Sequence, residues 1–204
     1  MSGQPATVKV WEGEFGRAYT DRNVVDWAKR LPAFQEMVGG LGIERMLEVG
    51  CNRGHNLVAL RQILGAGADI CGVEPNPYAL DLARAAEPAA RIVQGSAFDL
   101  PFEDGYFDLV MTAGVLIHLD PRDLPRGLAE IYRVSRRYIL AIEYYAEKDT
   151  EIPYRGQEGL LWKRDYRRDY QQQFPDLRLL RKGYCSADQG LDRCDWWLLE
   201  KTLP

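Results

Sequence analysis

Residues 46–57, MLEVGCNRGHNL, constrain this chain more than any other stretch, because an apolar run breaks into closely spaced glycines and then turns helical. Met46, Leu47 and Val49, interrupted by Glu48, suit a strand entering the middle of a parallel sheet. Gly50 and Gly54 end it. A chain that turns sharply while its backbone approaches a ligand needs residues without a Cβ. The helix that follows offers unpaired N–H groups at its positive end, which a carboxylate, a phosphate or a ribose edge can meet. A strict G-x-G-x-x-G dinucleotide pattern is absent, since Asn52 stands in a glycine slot. Asn tolerates left-handed backbone angles better than most residues, so the turn survives the change. An ordinary strand-to-helix connection fits the same residues.

Around this stretch the pattern alternates. Residues 56–64 read as a helix, 69–74 as a second buried strand stopped by Pro75 and Pro77, 78–86 as a helix, and 91–94 and 107–112 as further strands. A helix over 123–134, a fifth strand over 138–145, a helix over 160–172 and strands over 177–184 and 194–200 complete the chain. Alternation of this kind defines an α/β protein with a largely parallel sheet. Before the first strand, residues 1–10 read as a loose lead. Val24, Trp27, Leu31, Phe34 and Val38 give residues 24–38 helical spacing, with Pro32 as a bend or boundary. Trp11, Phe15 and Tyr19 form either an amphipathic stripe laid over the sheet or a lid over a ligand.

At 204 residues and 46% hydrophobic content, the chain suffices for one domain with a full core and is too short for two comfortable ones. A formal charge of −4 argues against broad electrostatic binding to nucleic acid. Cys51, Cys71, Cys185 and Cys194 are scattered, and His55 and His118 are the two histidines, so neither a structural metal nor a disulfide framework is expected. No segment approaches the uninterrupted apolar run of about 20 residues that crosses a bilayer. With no leader-like start, the expectation is a cytoplasmic protein without a membrane partner.

Several side chains are candidates for chemistry. Glu74 falls at the carboxyl end of the second strand, where it can accept both hydroxyl protons of a ribose or cap the next helix. In residues 95–110, GSAFDLPFEDGYFDLV, the Ser96 hydroxyl can accept an adenine amino proton beside the Ala97 backbone and Phe98, although Phe98 can also fill the core. The fourth strand runs into Ala113 and then His118, which can deprotonate a hydroxyl or ammonium near neutral pH or can pack against the next turn. Between residues 155 and 182 eight basic residues stand against four acidic ones. Such a stretch draws an anionic acceptor, with Arg155 able to clasp a carboxylate, or is a helix with solvated charges.

The glycine turn and residues 95–110 resemble those of class I S-adenosylmethionine-dependent methyltransferases, with Asn52 in place of glycine and Ser96 in place of a frequent Asp. Over nearly its whole length the chain also resembles the methylases associated with pseudaminic acid biosynthesis. That likeness rests on Trp11-x-Gly13-x-Phe15-Gly16-x-x-Tyr19-x-x-Arg22-Asn23, on Gly114-Val-Leu-Ile-His118, on Glu143-Tyr-Tyr145, on Pro153-Tyr-Arg-Gly156 and on Lys163-Arg-Asp165.

The resemblance implies a Rossmann-like seven-stranded sheet, mostly parallel with an antiparallel last strand and helices on both faces. It implies one domain over 1–204: a helical lid in 1–40, a cofactor core in 41–145 and acceptor-side elements in 146–204. S-adenosyl-L-methionine would be the cofactor and S-adenosyl-L-homocysteine its product, held by Tyr19, Glu48, Gly50, Asn52, Gly54, Glu74, Pro75, Ser96, Ala97, Phe98 and Ala113. His118 or Glu143 would take the acceptor's proton. Arg22, Tyr144, Tyr154, Arg155 and Lys163 would face a small anionic acceptor, a hydroxyl or amine of a nonulosonic sugar acid or its nucleotide-linked form. Other readings stay open: methylation of another small carboxylate- or phosphate-bearing metabolite, a nucleotide-binding oxidoreductase, or a non-catalytic subunit that keeps the fold. Oligomeric state is not legible.

Overall fold

The structure is a computed structural model that describes residues 4–202. Seven strands form one sheet in the order β3-β2-β1-β4-β5-β9-β8, where β1 is Arg45–Val49, β2 Asp69–Glu74, β3 Arg91–Gln94, β4 Phe107–Ala113, β5 Ser135–Glu143, β8 Leu177–Cys185 and β9 Cys194–Lys201. Strand β1 pairs in parallel with β2 and β4, while β9 runs antiparallel to both β5 and β8. The sequence pattern explains this placement of β1. Its alternate residues feed two different cores: Leu47 and Val49 pack with Val110 and Ile139, whereas Met46 packs with Ile70, Leu109 and Leu140. A strand buried on both faces has to be apolar nearly throughout, and the exception, Glu48, is therefore informative.

Helices α4 (His55–Leu64) and α5 (Pro77–Ala86) follow β1 and β2, α6 (Leu124–Val134) precedes β5, and α7 (Tyr166–Gln173) precedes β8. Asn76 caps α5: its Oδ1 accepts from the Tyr78 and Ala79 amides, and Pro77 fills the first turn, where an N–H is not needed.

Three segments depart from the sequence expectation. Residues expected as a loose lead form α1 (Ala6–Glu12), with Val8 buried against the core, while residues 1–3 of that lead lie outside the described residues. The expected helix over 24–38 is a 3-10 turn, Trp27–Arg30, followed by α3 (Leu31–Val38). Asp26 caps the turn through the Ala28 amide, Val24 is 65% exposed and outside any stripe, and Pro32 begins α3 rather than bending it. The helix expected over 160–172 starts at Tyr166, because Trp162–Lys163 (β7) pairs with Thr150–Glu151 (β6) and Asp165 accepts from the Arg168 amide to start the helix.

The head is fastened over the carboxyl end of the sheet. Asn76 Nδ2 reaches the carbonyls of Trp11 (2.8 Å) and Gly13 (3.1 Å) at the junction of α1 with α2 (Glu14–Arg22). Tyr78 donates its hydroxyl to Asp21, and the Arg17 guanidinium stands 4.6 Å from the centre of the Tyr78 ring. Among the described residues no helix is long and apolar enough to cross a membrane, and no group of three His, Cys, Asp or Glu side chains could hold a metal ion.

Candidate functional site

At the carboxyl ends of β1, β2 and β4 a cleft opens beneath α1 and α2, and the glycine turn forms its floor. Gly50 has φ +72, and a Cβ there would come 2.5 Å from Val115 Cγ2, so both the backbone angle and the space require glycine. Asn52 adopts φ +46, the left-handed region that asparagine tolerates. Its side chain explains the departure from glycine, since Oδ1 lies 2.9 Å from the Thr20 hydroxyl of α2 and ties the head to the turn. Gly54 (φ +80) does not line the cleft; it sits under the turn, where Ala83 of α5 packs against it. Gly54 thus serves the geometry of the turn and not its ligand face.

Glu74 is buried at the end of β2, and each carboxylate oxygen accepts one backbone N–H: Asn52 to Oε2 (2.8 Å) and Asn76 to Oε1 (2.9 Å). Since Asn76 caps α5, Glu74 is left to the cleft. Burial pushes its pKa up to about 7 against the pull of those two N–H groups. Each oxygen keeps a lone pair that a vicinal diol could occupy. Ser96, Ala97 and Phe98 line the neighbouring wall, with the Ser96 hydroxyl accepting from the Phe98 amide (3.3 Å) and Phe98 also packed in the core.

On the other side of the turn stands a polar group that the sequence did not reveal as a unit. Asn56 Nδ2 donates to Glu48 Oε1 (2.6 Å), and Arg30 Nη1 donates to Asn56 Oδ1. The second oxygen, Glu48 Oε2, is buried with no hydrogen-bond partner among the described residues, and burial raises the Glu48 pKa to about 7. Arg30, Arg53, Thr20, Gly190 and Asp192 also line the cleft and were missed. No motif marks them, since Arg30 reads locally as the polar side of a helix.

The far end of the cleft is built around His118, which closes the 3-10 turn Leu116–His118. Its Nδ1 lies 2.6 Å from the Leu160 carbonyl, which can only accept, so Nδ1 carries the proton and Nε2 presents a lone pair. Burial lowers its pKa to about 4, more than the Leu160 contact raises it, so the ring is neutral at pH 7. The Trp11 ring lies 4.4 Å away, Tyr154 5.4 Å and Tyr19 6.3 Å, centre to centre. Trp11 and Tyr19 thus line the cleft beside His118, while Phe15 packs behind them on Tyr154 (6.0 Å).

Besides Gly54, four of the expected residues stand elsewhere. Glu143 is fully buried outside the cleft wall and accepts from the Val115 (3.2 Å) and Ile117 (3.3 Å) amides, so it supports the turn that presents His118. Arg22 ends α2 exposed. Arg155 is exposed in the tight turn closed between Tyr154 and Gln157, at φ +54. Lys163 lies in β7, outside the cleft, with its ammonium 5.2 Å from the Tyr144 ring centre. Half of the basic residues of this stretch are ion-paired: Arg164 and Arg168 with Asp149, Arg167 with Asp165 and Arg178 with Glu200. Tyr19, Glu48, Gly50, Asn52, Glu74, Pro75, Ser96, Ala97, Phe98, Ala113, His118, Tyr144 and Tyr154 do meet around one cleft.

Residues 47–138 match the family described as "Methyltransferase domain". An uncharacterized methyltransferase of Synechocystis sp. is 37% identical over 93 residues, 46% of this chain and 42% of that protein. A probable phthiotriol/phenolphthiotriol dimycocerosates methyltransferase of Mycobacterium ulcerans is 37% identical over 95 residues, 46% of this chain and 36% of that protein. The chain spans less than half the length of these curated relatives. Among solved structures, a Burkholderia thailandensis 1,6-didemethyltoxoflavin-N1-methyltransferase, bound to 1,6-didemethyltoxoflavin and S-adenosylhomocysteine, aligns with a TM-score of 0.74 at 18% identity, covering 100% of this chain and 93% of that one. The N-terminal domain of EvdMO1 with S-adenosylhomocysteine aligns at 0.62 and 22% identity, covering 87% and 82%. The fold is the Rossmann-like one of methyltransferases: a seven-stranded, mostly parallel sheet with one reversed strand.

Proposed function

We infer that the chain is a class I S-adenosylmethionine-dependent methyltransferase, a reading supported by the domain match over residues 47–138, the methyltransferase relatives and two neighbours of the same fold that hold S-adenosylhomocysteine. The observation that carries it is Glu74, a buried carboxylate at a strand end with bonding capacity left on both oxygens. Two further features fit the cofactor: the unpartnered Glu48 Oε2 in the cleft wall, and the left-handed turn at Gly50 and Asn52, which brings backbone to the cleft.

In this reading Glu74 accepts from the ribose hydroxyls, while Ser96, Ala97 and Phe98 meet the adenine. When bound, S-adenosylmethionine supplies an electrophilic methyl group on a positively charged sulfur. The chain's own contribution is alignment and proton removal. His118 Nε2 takes the proton of an acceptor O–H or N–H, and its Nδ1–H bond to the Leu160 carbonyl strengthens as the ring becomes cationic. Trp11, Tyr19 and Tyr154 surround the base and exclude water, with α1 and α2 as the lid.

The acceptor is a small molecule carrying one such O–H or N–H. For the sugar acid implied by the sequence resemblance, the support is Arg53 in the cleft wall. Titration calorimetry with S-adenosylhomocysteine and with NAD tests the cofactor, and binding of NAD alone defeats the reading. Mass spectrometry of products formed from sugar acids, their nucleotide conjugates and uncharged planar O–H and N–H compounds identifies the acceptor.

A further inference from the structure

We propose that Arg30 binds the carboxylate at the amino-acid end of the cofactor, an inference that rests on the cleft being an S-adenosylmethionine site. Beyond its sulfur, S-adenosylmethionine carries an ammonium and a carboxylate on one carbon. A wall that holds both needs an anion and a cation side by side, each with bonding capacity to spare. Glu48 and Arg30 satisfy that condition. Asn56 ties them together, donating to Glu48 Oε1 (2.6 Å) and accepting from Arg30 Nη1, and all three line the cleft.

The spare capacity lies on both charges. Glu48 Oε2 is buried without a hydrogen-bond partner among the described residues, in a side chain whose residue is only 1% exposed. Arg30 commits Nε to the Gly190 carbonyl (2.8 Å) and Nη1 to Asn56, and among the described residues its Nη2 makes no hydrogen bond. Its two Nη2 N–H donors are open to the cleft, where a ligand can accept from them. The fork of a guanidinium matches the two oxygens of a carboxylate, as an ammonium would not.

The Gly190 carbonyl aims that fork. Gly190 has φ +70, and a Cβ on it would come 3.3 Å from Lys29 Cβ and 3.4 Å from Arg30 Cγ. The close approach of the tail loop to the 3-10 turn thus depends on glycine, and it brings the Gly190 carbonyl to Arg30 Nε. Arg30 and Gly190 lie outside residues 47–138 whereas Glu48 and Asn56 lie within them, so the head and the tail of this chain add the cation to a wall that the matched domain begins.

The test compares S-adenosylhomocysteine with methylthioadenosine, which keeps the adenosine and sulfur and lacks the amino-acid end. Calorimetry on the whole chain should show the first binding more tightly than the second. Arg30→Gln should lower S-adenosylhomocysteine affinity by about ten- to a hundredfold, the range for losing charge-assisted hydrogen bonds, and leave methylthioadenosine affinity unchanged. Arg30→Lys, which keeps a point charge without the fork, should recover part of the loss. Methylthioadenosine binding doubles as the control for folding. Equal loss for both ligands, or no loss for S-adenosylhomocysteine in either variant, overturns the assignment of Arg30 while leaving the cofactor site standing. Failure of the unaltered chain to bind either ligand overturns the cofactor site itself and this inference with it.

Discussion

Replacing Glu74 by Gln gives the sharpest separation of binding from folding. The change keeps the shape and one acceptor oxygen, but turns the other into an NH2 group that confronts the N–H of Asn52 or Asn76, each now donating to the carboxylate at 2.8 and 2.9 Å. One backbone bond is lost and the ribose loses a charged acceptor. A hydrogen bond to a charged group contributes about 1.5–3 kcal/mol, so S-adenosylhomocysteine affinity should fall by about ten- to a hundredfold. Stability should change in a different way. The wild-type carboxylate is desolvated enough to hold its pKa near 7, so its ionised form already weakens the fold at pH 8. Removing that charge offsets the lost bond to Asn52 or Asn76. Glu74→Gln should therefore bind the cofactor product poorly at a melting temperature close to that of the parent. Calorimetry with S-adenosylhomocysteine and thermal unfolding followed by circular dichroism measure the two quantities. Unchanged affinity would refute the placement of the ribose at Glu74.

Three further outcomes follow from the same geometry. Burial raises Glu48 and Glu74 from 4.5 to about 7, while an ammonium and a diol favour their ionised forms, so S-adenosylhomocysteine should bind more tightly as pH rises through 7 and release protons. Calorimetry in two buffers of different ionisation enthalpy detects that release, and its absence contradicts these contacts. Without ligand the sign is reversed: the stability due to these two groups is complete below about 4.5 and is lost as pH rises through 7. His118, lowered from 6.5 to about 4, adds stability as pH rises between those values. His118→Gln should lower turnover with an identified acceptor by about a hundredfold with S-adenosylhomocysteine affinity unchanged, and turnover near that of the parent would show that the ring only packs. Asn52→Gly keeps the turn and the amide bond to Glu74 but removes the contact with Thr20. Hydrogen exchange in α2 should rise while β1 stays protected, and unchanged exchange in α2 would show that the head is held by Asn76 and Tyr78 alone.

What the sequence determined by itself was whatever depends on neighbouring residues. The glycine turn is legible because Gly50 and Asn52 must take left-handed angles, and the placement of β1 is legible because a strand buried on both faces is apolar nearly throughout. Glu74 was legible because a strand end in an open α/β sheet faces the ligand crevice. The direction and pairing of distant side chains required the tertiary structure. Arg155 and Lys163 stand in a basic stretch that looks ready for an anion, yet the chain turns them away from the cleft and pairs their neighbours with Asp149, Asp165 and Asp169. Glu143 and His118 both suit a base by composition, but long-range bonds divide their tasks, since Glu143 accepts two backbone amides and His118 donates to a carbonyl 42 residues away. Arg30 is the clearest case. Its Nε is held by a carbonyl 160 residues distant, and because a contact of that span leaves no periodicity or local motif, only packing could reveal that Arg30 faces the cleft.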